Sequence, residues 1–324
     1  MRGFRSMKRW MSGLLLACTV AVAHGQGWPA RPVRMILAFP PGGPTDIVSR
    51  VLAQKLGEQL GQQVLVDNKP GAGGNIGAEL AARAPGDGYT IFYNTSAIVI
   101  NPALYGKASY DTLKDFVPVV LTAAIPMVLV VNPALPAKSM KEFVDLARSK
   151  PGQLNYSSSG SGTITHLASA MLSAQMGLAT QHVPYKGSAP GLVDLAAGQT
   201  QFMTDTINTA LPYIKDGRLR ALAVTSAKRS SVLPDAPTFG ESGLAGFDAA
   251  AWQGVVVPAG TPQEIVTRLN AEINKALQDP GVRVRLAGQG ADVLGGTPAE
   301  YAAYIRAEMP RWARAIRESG AKAE

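Results

Sequence analysis

The chain has 324 residues, 46% hydrophobic and 17% charged, with one cysteine and a formal net charge of +8. Arg2, Arg5, Lys8 and Arg9 lie in the first 25 residues, which hold no acid, so the remainder carries 27 Lys+Arg against 23 Asp+Glu, a balance of +4. No basic block or aromatic-interleaved arginine stripe occurs, so nucleic-acid binding is not expected. Cys18 is the sole thiol, so the chain beyond it can form neither a disulfide nor a thiolate metal site.

Residues 1–25 have the pattern of an export signal. A positive start precedes Leu14–Ala23, apolar except for Cys18 and Thr19, with Ala21, Ala23 and Gly25 as small residues for a peptidase. Met7 offers a second start. Leu15-Leu-Ala-Cys18 loosely resembles a lipoprotein cleavage box, although apolar residues continue past Cys18. The run is shorter than the roughly 20 residues of a membrane span, and no later segment reaches that length, so a soluble exported protein is expected.

The first apolar run, Val33–Phe39, leads through Pro40-Pro-Gly-Gly-Pro44 into a helical pattern with Val48, Leu52, Leu56 and Leu60 on one face. Strands are expected next at Val64–Val66, Thr90–Tyr93, Val117–Leu121, Met127–Val131, Phe202–Thr204, Leu222–Val224 and Val255–Val257. Leu154-Asn-Tyr156 is strand-like and precedes a helix carrying Ile164, Leu167, Ala168, Met171 and Leu172 on one face. Further helices are expected after Ser139 and around Leu192–Ala196. Pro262 to Gly320 reads as mostly helical, with Pro310 interrupting its last helix. The alternation of strand and helix predicts an α/β protein of parallel sheets flanked by helices. The length favours two lobes. The candidate crossings are Val117–Val131, through Ala124-Ile-Pro126, and the Pro/Gly-rich Leu233–Phe247. The expected division is 26–124 with 252–324 as lobe 1 and 125–251 as lobe 2.

The most informative segment is Phe39-Pro-Pro-Gly-Gly-Pro-Thr-Asp46, a glycine turn feeding a helix start. Free N–H groups and the helix dipole there favour an anion. It lacks the Lys-Ser/Thr pair of a phosphate loop and the spacing of a dinucleotide fingerprint. An ordinary capped βα turn is the alternative. Ser157-Ser-Ser-Gly-Ser-Gly-Thr163 repeats the device and offers hydroxyls and glycine amides to a carboxylate. A flexible surface loop is its alternative. No G-x-S-x-G elbow runs through it. Gly71-Ala-Gly-Gly-Asn-Ile-Gly77 reads as close packing of a helix start against the same cleft. His166 and His182 lack a nearby acidic partner in sequence and do not make a metal site. His166 is near enough to the serine loop to support it. Asp205 is either a helix cap or a reader of the ligand, accepting from a hydroxyl or amine or repelling a surplus carboxylate. Lys186 is the one basic side chain within these loop motifs.

Taken together these motifs resemble the Bug-type solute receptors of tripartite tricarboxylate transport systems. The match runs in order through Phe39–Asp46, Asn68–Gly77, Pro85–Thr90, Asn101–Tyr105, Asn155-Tyr156 with Gly160–Leu167, Val183–Gly187, Leu219–Thr225 and Pro258–Pro262. The resemblance implies a two-lobed Venus-flytrap fold of the periplasmic-binding-protein type (type II), without cofactor or catalysis. It implies one pincer made by Phe39, Gly42, Gly43, Thr45 and Asp46, and a second made by Ser158, Gly160, Ser161, Gly162 and Thr163. Lys186 and Asp205 match positions that read the far end of the ligand, and Ser96 matches another cleft position. The implied partners are a small organic acid and integral-membrane transporter subunits, the implied compartment is the periplasm, and a monomer is expected. Ser157-Ser-Ser159, Thr204-Asp-Thr-Ile207 and Gln253 depart from the family's habit. Two alternatives stand beside this reading: a receptor reporting to a membrane sensor, and an exported hydrolase using Ser158 or Ser161 with His166.

Overall fold

The computed structural model describes residues 27–106, 108–247 and 249–322. The expected export signal lies outside them. Strand β1 (Val33–Leu37) buries Val33, Met35, Ile36 and Leu37 and runs into helix α1 (Pro44–Leu60). Val48, Leu52, Leu56 and Leu60 form the buried stripe of that helix, and Gly61 ends it in the left-handed conformation. Strand β2 (Val64–Asn68), a 3-10 turn at Ala72–Gly74, helix α2 (Asn75–Ala82), strand β3 (Thr90–Thr95) and helix α3 (Ala97–Tyr105) follow.

Strand β4 spans Phe116–Val131 without a break. The sequence suggested two strands joined through Ala124-Ile-Pro126. Instead Pro126 sits within one strand that changes partners beside it. Strand β9 (Ala250–Pro258) pairs antiparallel with Phe116–Pro126, whereas Met127–Val131 pairs antiparallel with β7 (Phe202–Thr206) and Val128–Val131 with β8 (Arg220–Val224). Between these lie α4 (Met140–Ser149), β5 (Leu154–Ser158), α5 (Ile164–Met176), β6 (Thr180–Pro184), α6 (Ser188–Ala196) and α7 (Ile207–Lys215). The chain closes with α8 (Gln263–Gln278), α9 (Pro280–Ala287), the short β10 (Asp292–Val293) and α10 (Pro298–Ser319). Helix α10 continues through Pro310 and starts with a capping box between Thr297 and Glu300.

The two halves repeat one plan. β1 lies parallel between β2 and β3, and β5 lies parallel between β6 and β7. Each trio joins the antiparallel strands β4 or β9, so the sheets are mixed. The reason is geometric: β4 and β9 carry the chain between the halves in opposite directions. Crevices at the carboxyl ends of such parallel strands, where the strand order reverses, are where α/β folds bind ligands. The loops after β1 and β5 stand at those ends.

Most buried apolar side chains form one cluster, running from β1 and α1 through β4 and β9 to α10. Val128 and Val130 point to the opposite face of β4 from Leu129 and Val131 and fill a second cluster with Leu192, Leu195, Met203 and Ile207. Helix α10 is anchored by Glu308, which accepts from the indole N–H groups of both Trp252 and Trp312 at 2.8 Å. None of the helices among the described residues is long and apolar enough to cross a membrane.

Candidate functional site

The first loop is built around Asp46. Gly42 takes φ +79°, and Gly43, extended at φ −80°, is the cap position of α1. Pro44 opens the helix, where its missing N–H costs nothing. The Asp46 carboxylate accepts from the Gly42 N–H at 3.0 Å, Arg50 Nε at 2.9 Å and Asn68 Nδ2 at 3.1 Å. Asn68 Nδ2 also donates to the Phe39 carbonyl at 2.9 Å. Burial pushes the Asp46 carboxyl up, but the hydrogen bonds from Arg50, Gly42 and Asn68 outweigh it and hold the group below its usual range. Asp46 is therefore a strut that fixes the turn.

The second loop also consumes much of its own polarity. Gly160 and Gly162 adopt φ +128° and +79°. The Gly160 N–H donates to Ser158 Oγ at 3.1 Å and the Gly162 N–H to His166 Nδ1 at 3.3 Å. Thr163 caps α5: its hydroxyl donates to the Gly160 carbonyl at 2.6 Å and accepts from the His166 N–H at 3.5 Å. Thr165 Oγ1 accepts from the Ser159 N–H at 2.8 Å and meets Thr163 Oγ1 at 3.0 Å. Behind the loop, Ser158 Oγ meets His182 Nε2 at 2.6 Å, and the His166 and His182 rings stack with centroids 3.9 Å apart. Burial pushes the His182 imidazole down to about 4, so it is neutral near pH 7.

The two loops face one another across a single cleft. Pro40, Pro44 and Thr45 line it from the α1 side, and Ser159, Thr163 and Thr165 from the α5 side. Thr95 at the end of β3 and Ala97 just after it contribute, with Ser188 and Pro190 after β6, Thr206 at the end of β7, and Ala251 and Gln253 from β9. Phe39, Pro41, Gly43, Ile164, Gly187 and Ala189 complete the wall. The rims touch. Tyr105 Oη donates to the Ser161 carbonyl at 3.1 Å, and Asn208 Nδ2 to the Pro44 carbonyl at 3.3 Å. A Cβ built on Gly73 would lie 2.3 Å from that same Ser161 oxygen, and one on Gly187 would lie 3.1 Å from the Pro40 ring. Close packing also explains Gly74, which abuts the Phe39 ring, and Gly77, which abuts Ala38.

Of the residues expected from the sequence, Phe39, Gly43, Thr45 and Thr163 line the cleft. Gly42, Asp46, Ser158, Gly160 and Gly162 belong to the hydrogen-bonded frame behind it, because their polar atoms are committed to the turns. Ser161 is buried at the rim with its Oγ unpartnered, and Ser96 is buried likewise. Lys186 is exposed and lies outside the cleft wall. Asp205 is fully buried behind the wall, accepting from the Thr206 N–H at 2.8 Å, Ser188 Oγ at 2.9 Å and Thr209 Oγ1 at 3.0 Å. Burial pushes its carboxyl up to about 6 against the pull of those bonds. Thr165, Thr95 and Ser188 line the cleft without having been singled out in the sequence, and Ser159, Thr206 and Gln253, marked there only as departures from the family's habit, line it too. All but Gln253 lie at or just beyond a strand's carboxyl end or at a helix start, so the strand map itself was the signal that points to them. The hydrolase alternative lacks its serine–histidine pair: the Ser158 hydroxyl is fully buried and meets His182, not His166, and Ser161 Oγ is buried without a hydrogen bond. Among the described residues no group of three or more His, Cys, Asp or Glu could hold a metal ion.

The family model described as the tripartite tricarboxylate transporter family receptor, TctC, matches residues 48–321. The "UPF0065 protein in tcbD-tcbE intergenic region" of Pseudomonas sp. (strain P51) is 42% identical over 96% of this chain and 94% of its own length. BugT of Bordetella pertussis is 39% identical over 91% of both chains. Among solved structures, Rhodopseudomonas palustris Rpa4515 with adipate superposes with a TM-score of 0.89 at 37% identity, covering 92% of this chain and all of that one. The periplasmic binding protein BugD gives 0.87 at 35% identity over 92% of this chain and all of its own. MatC of R. palustris with bound malate gives 0.85 at 34% identity over 89% of this chain and all of its own. The cleft between two repeated α/β halves and the match along most of the chain lead to one conclusion: this is a Bug-type member of the TctC family of periplasmic solute receptors, a family of binding proteins and not of enzymes.

Proposed function

We propose that the protein is an extracytoplasmic receptor that takes a small carboxylate into the interlobe cleft and delivers it to a tripartite tricarboxylate-type membrane transporter. The observation that carries this reading is the convergence of two helix starts, α1 from one half and α5 from the other, on one cleft. The first-turn N–H groups of each helix lack intrahelical acceptors, and the dipoles favour an anion between them. Thr45 and Ser159 add hydroxyls, and Thr163, whose own proton goes to the Gly160 carbonyl, caps the start of α5. Gly42, Asp46, Ser158, Gly160, Ser161 and Gly162 act by holding the two loops in shape. Charge-assisted hydrogen bonds of about 1.5–3 kcal/mol each, offset by ordering and lost translational freedom, lead to micromolar affinity, about −8 kcal/mol. In this reading residues 1–25 direct export to the periplasm and are removed. Lobe 1 comprises 26–124 and 252–324, lobe 2 comprises 125–251, and the receptor works as a monomer. Ligand contacts to both lobes favour the closed form, which presents both to the membrane subunits.

Isothermal titration calorimetry of the purified protein against a carboxylate panel that includes adipate and malate tests the reading. Binding is expected for at least one acid, and the double substitution Thr45→Ala with Thr163→Ala is expected to weaken it ten-fold or more. Unchanged affinity in a folded double variant removes the pincer assignment.

A further inference from the structure

The wall of the cleft is mostly carbon. Phe39, Pro40 and Pro44 face it from the α1 side, Ile164 from the start of α5, Pro190 from the first turn of α6 and Ala251 from β9. A proline has no N–H, so three of these positions bring neither a side-chain nor a backbone donor. Among the described residues no Lys, Arg, His, Asp or Glu side chain lines the cleft.

Most hydroxyls of the wall are engaged within the protein. Thr163 Oγ1 donates to the Gly160 carbonyl at 2.6 Å, and Ser188 Oγ to the buried Asp205 carboxylate at 2.9 Å. Thr165 Oγ1 accepts from the Ser159 N–H at 2.8 Å and meets Thr163 Oγ1 at 3.0 Å, and Thr206 Oγ1 meets Thr209 Oγ1 at 2.9 Å. Thr45 and Ser159 belong to the two turns that hold the carboxylate head. Apart from them, one polar place remains. Gln253, 1% exposed and with Oε1 unpartnered, stands opposite Thr95 in the pairing of β9 with β3. Thr95 Oγ1 accepts from the Ala97 N–H at 3.2 Å and keeps its proton. This pair offers donors and an acceptor, so a carboxylate, an amide or a single hydroxyl on the ligand's tail can be met there.

We infer that the receptor takes an acid with an apolar body, a methylene chain or a hydrocarbon ring between the carboxylate head and the tail, in preference to a polyhydroxy acid of the same carbon skeleton. Methylene groups laid against Phe39, Ile164 and the proline rings are removed from water favourably. Four or five hydroxyls on the same carbons outnumber the donors and acceptors that the wall leaves over, and each unmet hydroxyl carries the cost of its lost water. The inference rests on the carboxylate-receptor reading above and adds the chemistry of the ligand's body to it.

The test is calorimetry of the unmodified receptor with acids matched carbon for carbon: hexanoate and gluconate, adipate and galactarate, cyclohexanecarboxylate and quinate. In every pair of which either member binds, the hydrocarbon member is expected to bind at least ten-fold tighter, with a negative heat-capacity change. In Ile164→Thr, which keeps the β-branch and puts a hydroxyl on the wall, the tightest hydrocarbon acid is expected to lose three-fold or more in affinity. An advantage below ten-fold, or a polyhydroxy acid that binds tighter, overturns the assignment and leaves the receptor reading standing. Unchanged affinity in a folded Ile164→Thr does the same. If these six acids fail while malate binds, the cleft takes a compact polar acid and the assignment again falls alone. If no acid binds at all, it falls with the carboxylate reading. The unmodified panel decides the matter even where the variant does not fold.

Discussion

Gly73→Ala should uncouple ligand binding from folding. Gly73 has φ +61°, and an added Cβ would stand 2.3 Å from the Ser161 carbonyl oxygen across the cleft. The left-handed backbone costs an alanine about 1 kcal/mol, and that cost is present whether the lobes are open or closed. The clash exists only when they are closed, and its partner is a backbone atom that cannot swing aside. Relief requires the rims to separate by about 1 Å, since ordinary carbon–oxygen contact lies near 3.3 Å. That loosens the Tyr105–Ser161 hydrogen bond, worth about 1 kcal/mol, and repacking strain adds about 1–3 kcal/mol. A closed-state penalty of about 2–4 kcal/mol corresponds to roughly 30- to 900-fold weaker binding. Gly106→Ala is the control, because Gly106 has φ +67° with nothing within 4 Å of its added Cβ. Calorimetry with the tightest acid of the panel, alongside thermal melting without ligand, separates the effects. Both variants should melt slightly lower, and only Gly73→Ala should lose affinity. Affinity of Gly73→Ala within two-fold of the unmodified protein would refute the idea that binding closes the lobes at this contact.

Three further outcomes are expected. Asp46→Ala removes the acceptor shared by Gly42, Arg50 and Asn68 and should lower stability by about 2–3 kcal/mol, measured by urea unfolding, with weaker acid binding as the turn loosens. Glu308→Leu leaves the Trp252 and Trp312 indole N–H groups buried without their acceptor and should cost about 3–5 kcal/mol. A change below 1 kcal/mol in urea would count against that anchor. His182 is held neutral by burial, with its pKa pushed down to about 4 from 6.5. As pH falls below about 6.5 the unfolded chain takes up the proton first, so stability declines down to about pH 4, below which this group adds no further loss. Melting temperatures of the unmodified protein and His182→Gln between pH 7 and 4 should diverge in slope, and parallel curves would show that His182 does not carry this term.

Much of the fold was legible from local pattern. The four-residue spacing of Val48, Leu52, Leu56 and Leu60 marked α1, and all four are buried. The apolar runs marked the cores of β1, β3 and β9, although the strands extend beyond or stop short of them by a few residues. The reading of β4 as two strands failed because Pro126 looks like a break. Its position at the change of partners makes it compatible with a continuous strand. His182 lies within β6 and supports the second loop through Ser158.

Chemistry at the level of residue type was written in the chain: glycine turns before helix starts, hydroxyls in the second loop, no thiol beyond Cys18, and a spread of motifs specific to one receptor family. These depend on neighbours a few positions away, so periodicity and turn preference suffice to find them. Which atoms face the ligand was decided only by the tertiary structure. Asp46, Gly160 and Gly162 look available in sequence but spend their polar groups on the loops themselves. Gln253, flanked by Trp252 and Gly254, stood out only as a departure from the family's habit, with nothing local to place it at the cleft. It reaches the cleft because β9 pairs with β3 and β4 in a register that turns it inward. Register and closure are sums over contacts distant in sequence, and short-range pattern holds no record of them.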